Sequence, residues 1–190
     1  MDLAVKTVKS VEDLLHKARE GEVQAFTALV KLYEERIFHT ACSLVGNRED
    51  ARDLAQETFV KAYHGLKNFQ GKSQFSTWLT RILINTAKDF IRKKQARTFE
   101  SVLENVPAKN AGALEGLVNQ ELEAALHEAM QGLPFQQKSL FALRYLEGLS
   151  LEEIAETSGL SIGGVKASLW QAAQKMKKKL RPWMEKEGSL

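Results

Sequence analysis

The sequence predicts an all-α fold made of two small helical domains joined by a flexible linker, and three observations carry that expectation. Apolar residues recur at spacings of three and four almost throughout, as they do in helices that bury one face. Only three prolines, Pro107, Pro134 and Pro182, punctuate 190 residues. The periodicity fails over one long stretch, 98–119, which loses basic charge and holds Pro107, Asn110 and Gly112 among small residues. That stretch reads as a linker between a domain at 1–97 and a second at 120–190. With 44% hydrophobic residues the chain can bury real cores on both sides of it.

The first long helix spans Val23 to Val45 and places Phe26, Leu29, Val30, Tyr33, Ile37, Ala41 and Leu44 on one stripe. Gly46 and Asn47 end it with residues suited to left-handed backbone. The next runs from Glu49 to Leu66. Its acids Glu49, Asp50 and Asp53 favour the positive end of the helix dipole, and Leu54, Ala55, Phe59, Ala62 and Leu66 face inward. A polar loop, 68–74, leads into a third helix from about Phe75 to Arg97 with Trp78, Ile82, Leu83, Ala87 and Phe90 as core.

Beyond the linker, Leu122, Ala125, Leu126 and Met130 restore the periodicity, which breaks at Gly132-Leu133-Pro134 and resumes through Leu140, Leu143 and Leu146. Ser150 followed three residues later by Glu153 is a capping box for a short helix, Leu151 to Thr157. Gly159 supplies a tight turn, and Ser161 caps a last helix whose buried stripe is Ile162, Val165, Leu169, Ala172, Met176 and Leu180. Two helices joined by such a turn form a helix-turn-helix, whose second helix enters the major groove. Its opposite face, with Gly164, Lys166, Ala167, Trp170 and Gln171, is the candidate reading surface; Trp170 could instead belong to the core.

The net charge of +3 hides clustering. Arg81 to Arg97 holds six basic residues opposed only by Asp89, and Ser161 to Arg181 holds six with no acid. Two concentrated basic helices suit a polyanion contacted at two places; solvated basic faces are the alternative. On the third helix, Asn85, Asp89, Arg92 and Lys93 fall about one turn apart, where amide and carboxylate can discriminate bases while arginine holds phosphate. The preceding loop, with Phe69, Phe75, Ser76 and Thr77 around Lys72, could hold an extruded base unless its aromatics are core.

Other functions find little footing. Cys42, the sole cysteine, excludes an internal disulfide framework or a cysteine-based zinc site, and its apolar neighbours predict a buried structural thiol in a reducing compartment. His16, His39, His64 and His127 are dispersed, and no HExxH, GxSxG or phosphate-binding glycine loop occurs. The reading is therefore of a non-enzyme with no catalytic residue, metal, cofactor or small-molecule substrate. Asp2, Glu12 and Asp13 interrupt any secretory apolar core, and no stretch reaches the length of a membrane span. A soluble, cytoplasmic protein without membrane insertion is expected.

GEVQAFTALVKLYEERIF, EDARDLAQETFVKAY, FSTWLTRILINTAKDFIRKK and LPFQQKSLFALRYLEGLSLEEIAETSGLSIGGVK occur in the order and spacing of a known family. From Glu12 to Arg181 the chain resembles a bacterial RNA polymerase sigma factor of the sigma-70 family, extracytoplasmic-function (ECF) type. The resemblance implies that Asp53, Gln56 and Glu57 dock on the coiled-coil clamp of core RNA polymerase. It assigns Asn68, Lys72, Phe75, Ser76, Thr77, Asn85, Asp89, Arg92 and Lys93 to the minus-10 element, where the exposed single strand is read. It assigns Ser161, Gly164, Lys166, Ala167, Trp170, Gln171 and Lys175 to duplex promoter DNA at the minus-35 element, and the linker to a nucleic-acid channel of the polymerase. An anti-sigma factor is a further implied partner.

The chain departs from the family where Ser168, Gln171 and Ala173 stand at positions commonly held by arginine. Base reading should then rest on Lys166, suited to guanine, and Gln171, suited to adenine. Phosphate attraction should come from Lys175, Lys177, Lys178, Lys179 and Arg181. The competing functions are a stand-alone helix-turn-helix regulator that binds duplex DNA as a dimer and an interaction protein whose basic helices bind an acidic partner.

Overall fold

The architecture follows from a computed structural model that describes residues 2–101 and 120–187, with side chains over 11–94 and 124–182. In these residues there are eight α-helices and no strand: α1 Asp2–Arg19, α2 Val23–Val45, α3 Arg48–Gly65, α4 Phe75–Ser101, α5 Gln120–Gln131, α6 Phe135–Phe141, α7 Leu151–Ser158 and α8 Ile162–Glu187. Of the stretch expected to be a linker, 98–101 continue α4 and 102–119 lie outside the described residues.

The first domain is built on α2, whose stripe buries Phe26, Leu29, Ile37, Ala41 and Leu44 against Leu54 and Ala62 of α3 and Leu79, Leu83 and Ala87 of α4. A helix not expected from the patterning, α1, adds Ala18 and the half-buried Val11, Leu14 and Leu15 to this core. Cys42 is buried as expected, and burial pushes its thiol upward in pKa, away from reactivity. Gly46 has φ 88°, a left-handed backbone that favours glycine, and a Cβ there would also stand 2.8 Å from the end of the Gln131 side chain and displace it. Asn47 does not share the left-handed backbone. It is extended, at φ −140°, and caps α3 by accepting from the Asp50 N–H at 2.8 Å.

In the second domain Leu140, Leu143, Leu149, Ile154, Val165 and Leu169 form one core, and Ala129, Met130, Leu133, Ala172 and Met176 another. The capping box of α7 is complete: the Glu153 N–H donates to Ser150 Oγ at 3.1 Å and the Ser150 N–H to Glu153 Oε2 at 2.8 Å. Gly159 closes the helix at φ 71°, and Ser161 Oγ accepts from the Gly164 N–H at 3.1 Å to start α8. Three residues depart from the expected stripes, Leu126 at 38% exposed among them. Ile162 is 40% exposed because it lies in the first turn of α8, and Leu146 is 47% exposed.

The Leu146 departure has a specific cause. After α6 the chain makes a π-helical turn over Ala142–Leu146, in which the Glu147 N–H reaches back five residues to the Ala142 carbonyl at 3.0 Å. The wider turn puts Leu146 outside and Glu147 inside, against the first domain. There Arg36 Nε donates to Glu147 Oε2 at 2.7 Å, Thr40 Oγ1 to Oε1 at 2.6 Å, and Thr80 Oγ1 to Oε2 at 3.1 Å.

The last turn of α2 is likewise completed by the second domain. Gln131 Nε2 donates to the Ser43 carbonyl at 3.1 Å and Lys138 Nζ to the Leu44 carbonyl at 3.3 Å, while His127 Nε2 lies 3.1 Å from the Gly46 oxygen. These carbonyls have no partner within the helix, and an ammonium group suits the negative end of its dipole. Lys138 is buried, and desolvation pulls its pKa down.

Candidate nucleic-acid and partner interfaces

Three surfaces carry the candidate residues. The first lies on α3, where Asp53, Gln56 and Glu57 are all exposed, with Glu57 paired to Lys61 at 2.8 Å. One and two turns beyond Gln56, Val60 and Tyr63 are exposed on the same helix face, although large and apolar. With Phe26, Val30 and Phe38 of α2 and Phe59 they line a groove of about 780 Å³, which Gln56 and Arg52 also border. Sequence reasoning missed this groove. The signal was available: Val60 and Tyr63 fall off the buried stripe of α3, at Gln56 plus four and plus seven.

The second surface begins in the loop before α4 and continues along that helix. Asn68 and Lys72 are exposed and Ser76 is half-buried. Phe75 and Thr77 are placed otherwise than expected: Phe75 is 5% exposed and Thr77 7%. Phe75 packs edge-on against Tyr33, with ring centroids 5.4 Å apart, and lies 5.9 Å from Phe69 and 5.6 Å from Trp78. The loop aromatics form a cluster that anchors the start of α4, so neither Phe69 nor Phe75 offers a face on which a base could stack. Thr77 Oγ1 is a buried side-chain oxygen with no partner among the described residues.

Further along α4, Asn85, Arg92 and Lys93 are exposed and Asp89 half-buried. Arg92 Nη2 donates to Asp89 Oδ1 at 3.1 Å. The neighbouring Lys94 donates to Asp50 of α3. Burial pushes the Asp50 carboxyl up, but hydrogen bonds from Lys94 and Asn47, with the Lys94 charge, outweigh it and hold the group below its ordinary value. The adjoining flank of α4 is covered by the second domain: Thr80 binds Glu147, Arg81 Nη2 donates to the Glu156 carbonyl at 3.3 Å, and Ile84 joins the helix-turn-helix core.

The third surface is the exposed face of α8. Ser161, Lys166, Ala167, Gln171 and Lys175 are exposed and Gly164 half-buried. Trp170 is 65% exposed, which places it on the surface and not in the core. Lys177, Lys178 and Lys179 are exposed as well. Gln171 and Lys175 are not independent of each other, because both bind the buried Gln137 of α6.

Among the described residues no cluster of three or more His, Cys, Asp or Glu is placed to hold a metal ion, and no helix is long and apolar enough to cross a membrane. Comparison with known proteins gives matches along most of the chain. Residues 29–97 match Sigma-70 region 2, and residues 123–176 match Sigma-70, region 4. The chain is 34% identical over 189 residues to the RNA polymerase sigma-H factor of Pseudomonas aeruginosa, covering 93% of this chain and 96% of that one. It is 32% identical to the ECF RNA polymerase sigma-E factor of Haemophilus influenzae, over 90% of this chain and 95% of that one. Among solved structures it is similar to CnrH in complex with the cytosolic domain of CnrY, with TM-score 0.68 and 25% identity over 91% of this chain and 98% of that one. The sigma factor RpoE from Bartonella quintana, in complex with the anti-sigma factor NepR, shares the fold with TM-score 0.71 at 24% identity, over 82% and 96% of the two chains.

Proposed function

The chain belongs to the ECF sigma factors of the sigma-70 family, and from that membership we propose how its residues divide the work. As a member it directs RNA polymerase to promoters, with core polymerase and promoter DNA as partners and anti-sigma factors as regulators of the class. In our reading it acts in the cytoplasm as a non-catalytic specificity subunit. Binding energy toward polymerase and DNA is all that such a role requires of its surfaces.

The observation that carries the assignment is the presence of two separate basic surfaces, α4 and α8, on the portions that match regions 2 and 4. We assign α4 and its preceding loop to the opened minus-10 strand. Asn85 and Asp89 offer polar groups to unpaired bases, Arg92 and Lys93 neutralise phosphate, and Asn68, Lys72 and Ser76 border the loop. Phe75 and Thr77 contribute from the core by fixing the first turn of α4. The exposed face of α8 takes the minus-35 duplex, with Lys166, Trp170 and Gln171 toward the bases and the lysines of its C-terminal half toward phosphates.

Asp53, Gln56 and Glu57 take the polymerase clamp. The neighbouring apolar groove, with Val60 and Tyr63, supplies what three polar side chains lack, a desolvated centre beside a polar rim. Replacing Gln56 and Glu57 together with Ala is expected to weaken core binding by about 1–3 kcal/mol while leaving the melting temperature unchanged. Undiminished affinity in a folded double mutant rejects the patch. Specific promoter binding is expected only when core polymerase is present; specific duplex binding by the chain alone would favour a stand-alone regulator instead.

A further inference from the structure

We propose that Gln137 is a positioning residue that decides which hydrogen-bonding edge of Gln171 is presented to DNA; the inference rests on the assignment of α8 to the upstream duplex. Gln137 lies on α6 and is 9% exposed. Lys175 Nζ donates to Gln137 Oε1 at 3.0 Å, and Gln137 Nε2 donates to Gln171 Oε1 at 2.8 Å.

The direction of this relay follows from chemistry. An ammonium group has donors only, so Gln137 must meet Lys175 with its oxygen. Its amide NH₂ is thereby turned to Gln171, which must answer with its own oxygen. That leaves the NH₂ of Gln171 as its outward group. Guanine shows two acceptors in the major groove, N7 and O6, whereas cytosine shows only the N4 donor. Gln171 held this way selects an acceptor edge and favours guanine. A free glutamine, by contrast, pairs bidentately with adenine, using oxygen and nitrogen side by side. Lys175 serves as the fixed end of the relay more than as a phosphate anchor.

A carboxylate at position 137 reverses the logic. In the variant Gln137→Glu the new side chain would have acceptors only; it would keep Lys175 and require a donor from Gln171, turning the Gln171 oxygen outward toward adenine N6 or cytosine N4.

The test uses the full chain assembled with core polymerase, in run-off transcription from promoters carrying each of the four base pairs at every upstream-element position. The native protein is expected to prefer guanine over cytosine at one position by roughly tenfold. Gln137→Glu should move that preference to adenine or cytosine by a similar factor, and Gln137→Met, which leaves Gln171 unheld, should flatten it. Thermal melting checks that each variant is folded, and either one suffices if the other is not. A residue that only filled space would change the melting temperature and leave the base ranking alone. An unchanged ranking in the folded variants overturns the relay. Gln171→Ala locates the fault: if it also leaves the ranking unchanged, Gln171 does not read the duplex and the underlying assignment fails with the relay. If Gln171→Ala flattens the ranking while the Gln137 variants do not, the relay alone is wrong.

Discussion

Helices α4 and α8 each carry six basic residues in their charged stretch, yet the structure treats those charges differently. On α4, Arg92 is paired with Asp89, Lys94 with Asp50, and Arg81 donates to the Glu156 carbonyl, while Thr80 and Ile84 are covered by the second domain. On α8 no acid lies between Ser161 and Arg181, and Lys166, Lys177, Lys178 and Lys179 are exposed. The contrast fits two tasks. A strand that must be opened and read base by base rewards side chains already held in place, because ordering them on binding costs free energy. A duplex held through its phosphates rewards unopposed charge that displaces counterions.

The largest effect expected from disturbing this contrast comes from Glu147, which fixes the flank of α4. Its carboxylate is buried among Arg36, Thr40 and Thr80, so Glu147→Ala leaves two hydroxyls without their acceptor and Arg36 with only the backbone carbonyl of residue 147. A loss of about 3 kcal/mol in urea denaturation is expected, at the low end for a buried pair because Arg36 is itself half-exposed. A loss below about 0.5 kcal/mol, the range of ordinary surface substitutions, would show that Glu147 does not hold the two domains together.

Next is the charge of α8. Replacing Lys177, Lys178 and Lys179 with Ala should lower the salt slope of upstream duplex binding by about two to three units, without changing which sequence is preferred. A changed preference with an unchanged slope would exchange the anchoring and reading residues. On α4, Arg92→Ala should reduce the slope by about one unit on all promoters, and by less if the released Asp89 repels the strand. Asn85→Ala should instead relax the minus-10 preference by about 1 kcal/mol with little change in slope. Equal behaviour of the two variants on matched and mismatched promoters would remove the distinction between holding and reading.

The smallest effect concerns the neutralised end of α4. Because Asp50 has a lower pKa in the folded protein than in the unfolded chain, its contribution is fully present above about pH 4 and is lost as the pH falls through its lowered value. Denaturation of the native protein and of Asp50→Asn at pH 7 and pH 3 should differ by under about 1 kcal/mol at neutral pH and converge in acid. A gap undiminished at pH 3 would mean that the carboxylate charge is not the source of the stabilisation.

Much of this arrangement was legible in the sequence because it is written in local spacing. The stripes of α2 and α3, the capping box of Ser150 and Glu153, and the turn at Gly159 each depend on residues within a few positions of one another. What escaped depends on distant partners. Glu147 sits beyond an amphipathic run like any surface acid, and only the π-helical turn, which no short pattern announces, carries it to Thr40, 107 positions earlier in the chain. Nothing in the local sequence marks Lys138 as buried; its ammonium group is held by the Leu44 carbonyl, 94 positions earlier in the chain. Phe75 resembles a stacking platform by its neighbours in sequence and becomes core through Tyr33. The DNA-facing residues of α4 and α8 were legible in helical spacing and charge and the polymerase patch came from family resemblance, whereas the groove beside Gln56 required α2 and α3 to be placed together.

The end of α2 has a consequence for how the molecule comes apart. The carbonyls of Ser43, Leu44 and Gly46 find their partners in side chains of Gln131, Lys138 and His127, more than eighty positions further along the chain. A fragment ending at residue 97 loses Ala142 and Phe135 from its apolar core and gives those three oxygens back to solvent, so its last α2 turn is expected to be where amide exchange and protease nicking begin. In the whole chain that turn opens only when the second domain leaves it. The two halves are therefore expected to melt as one cooperative unit, the more so because Ala142 of the second domain lies in the core of the first and Ile84 of the first packs on that of the second.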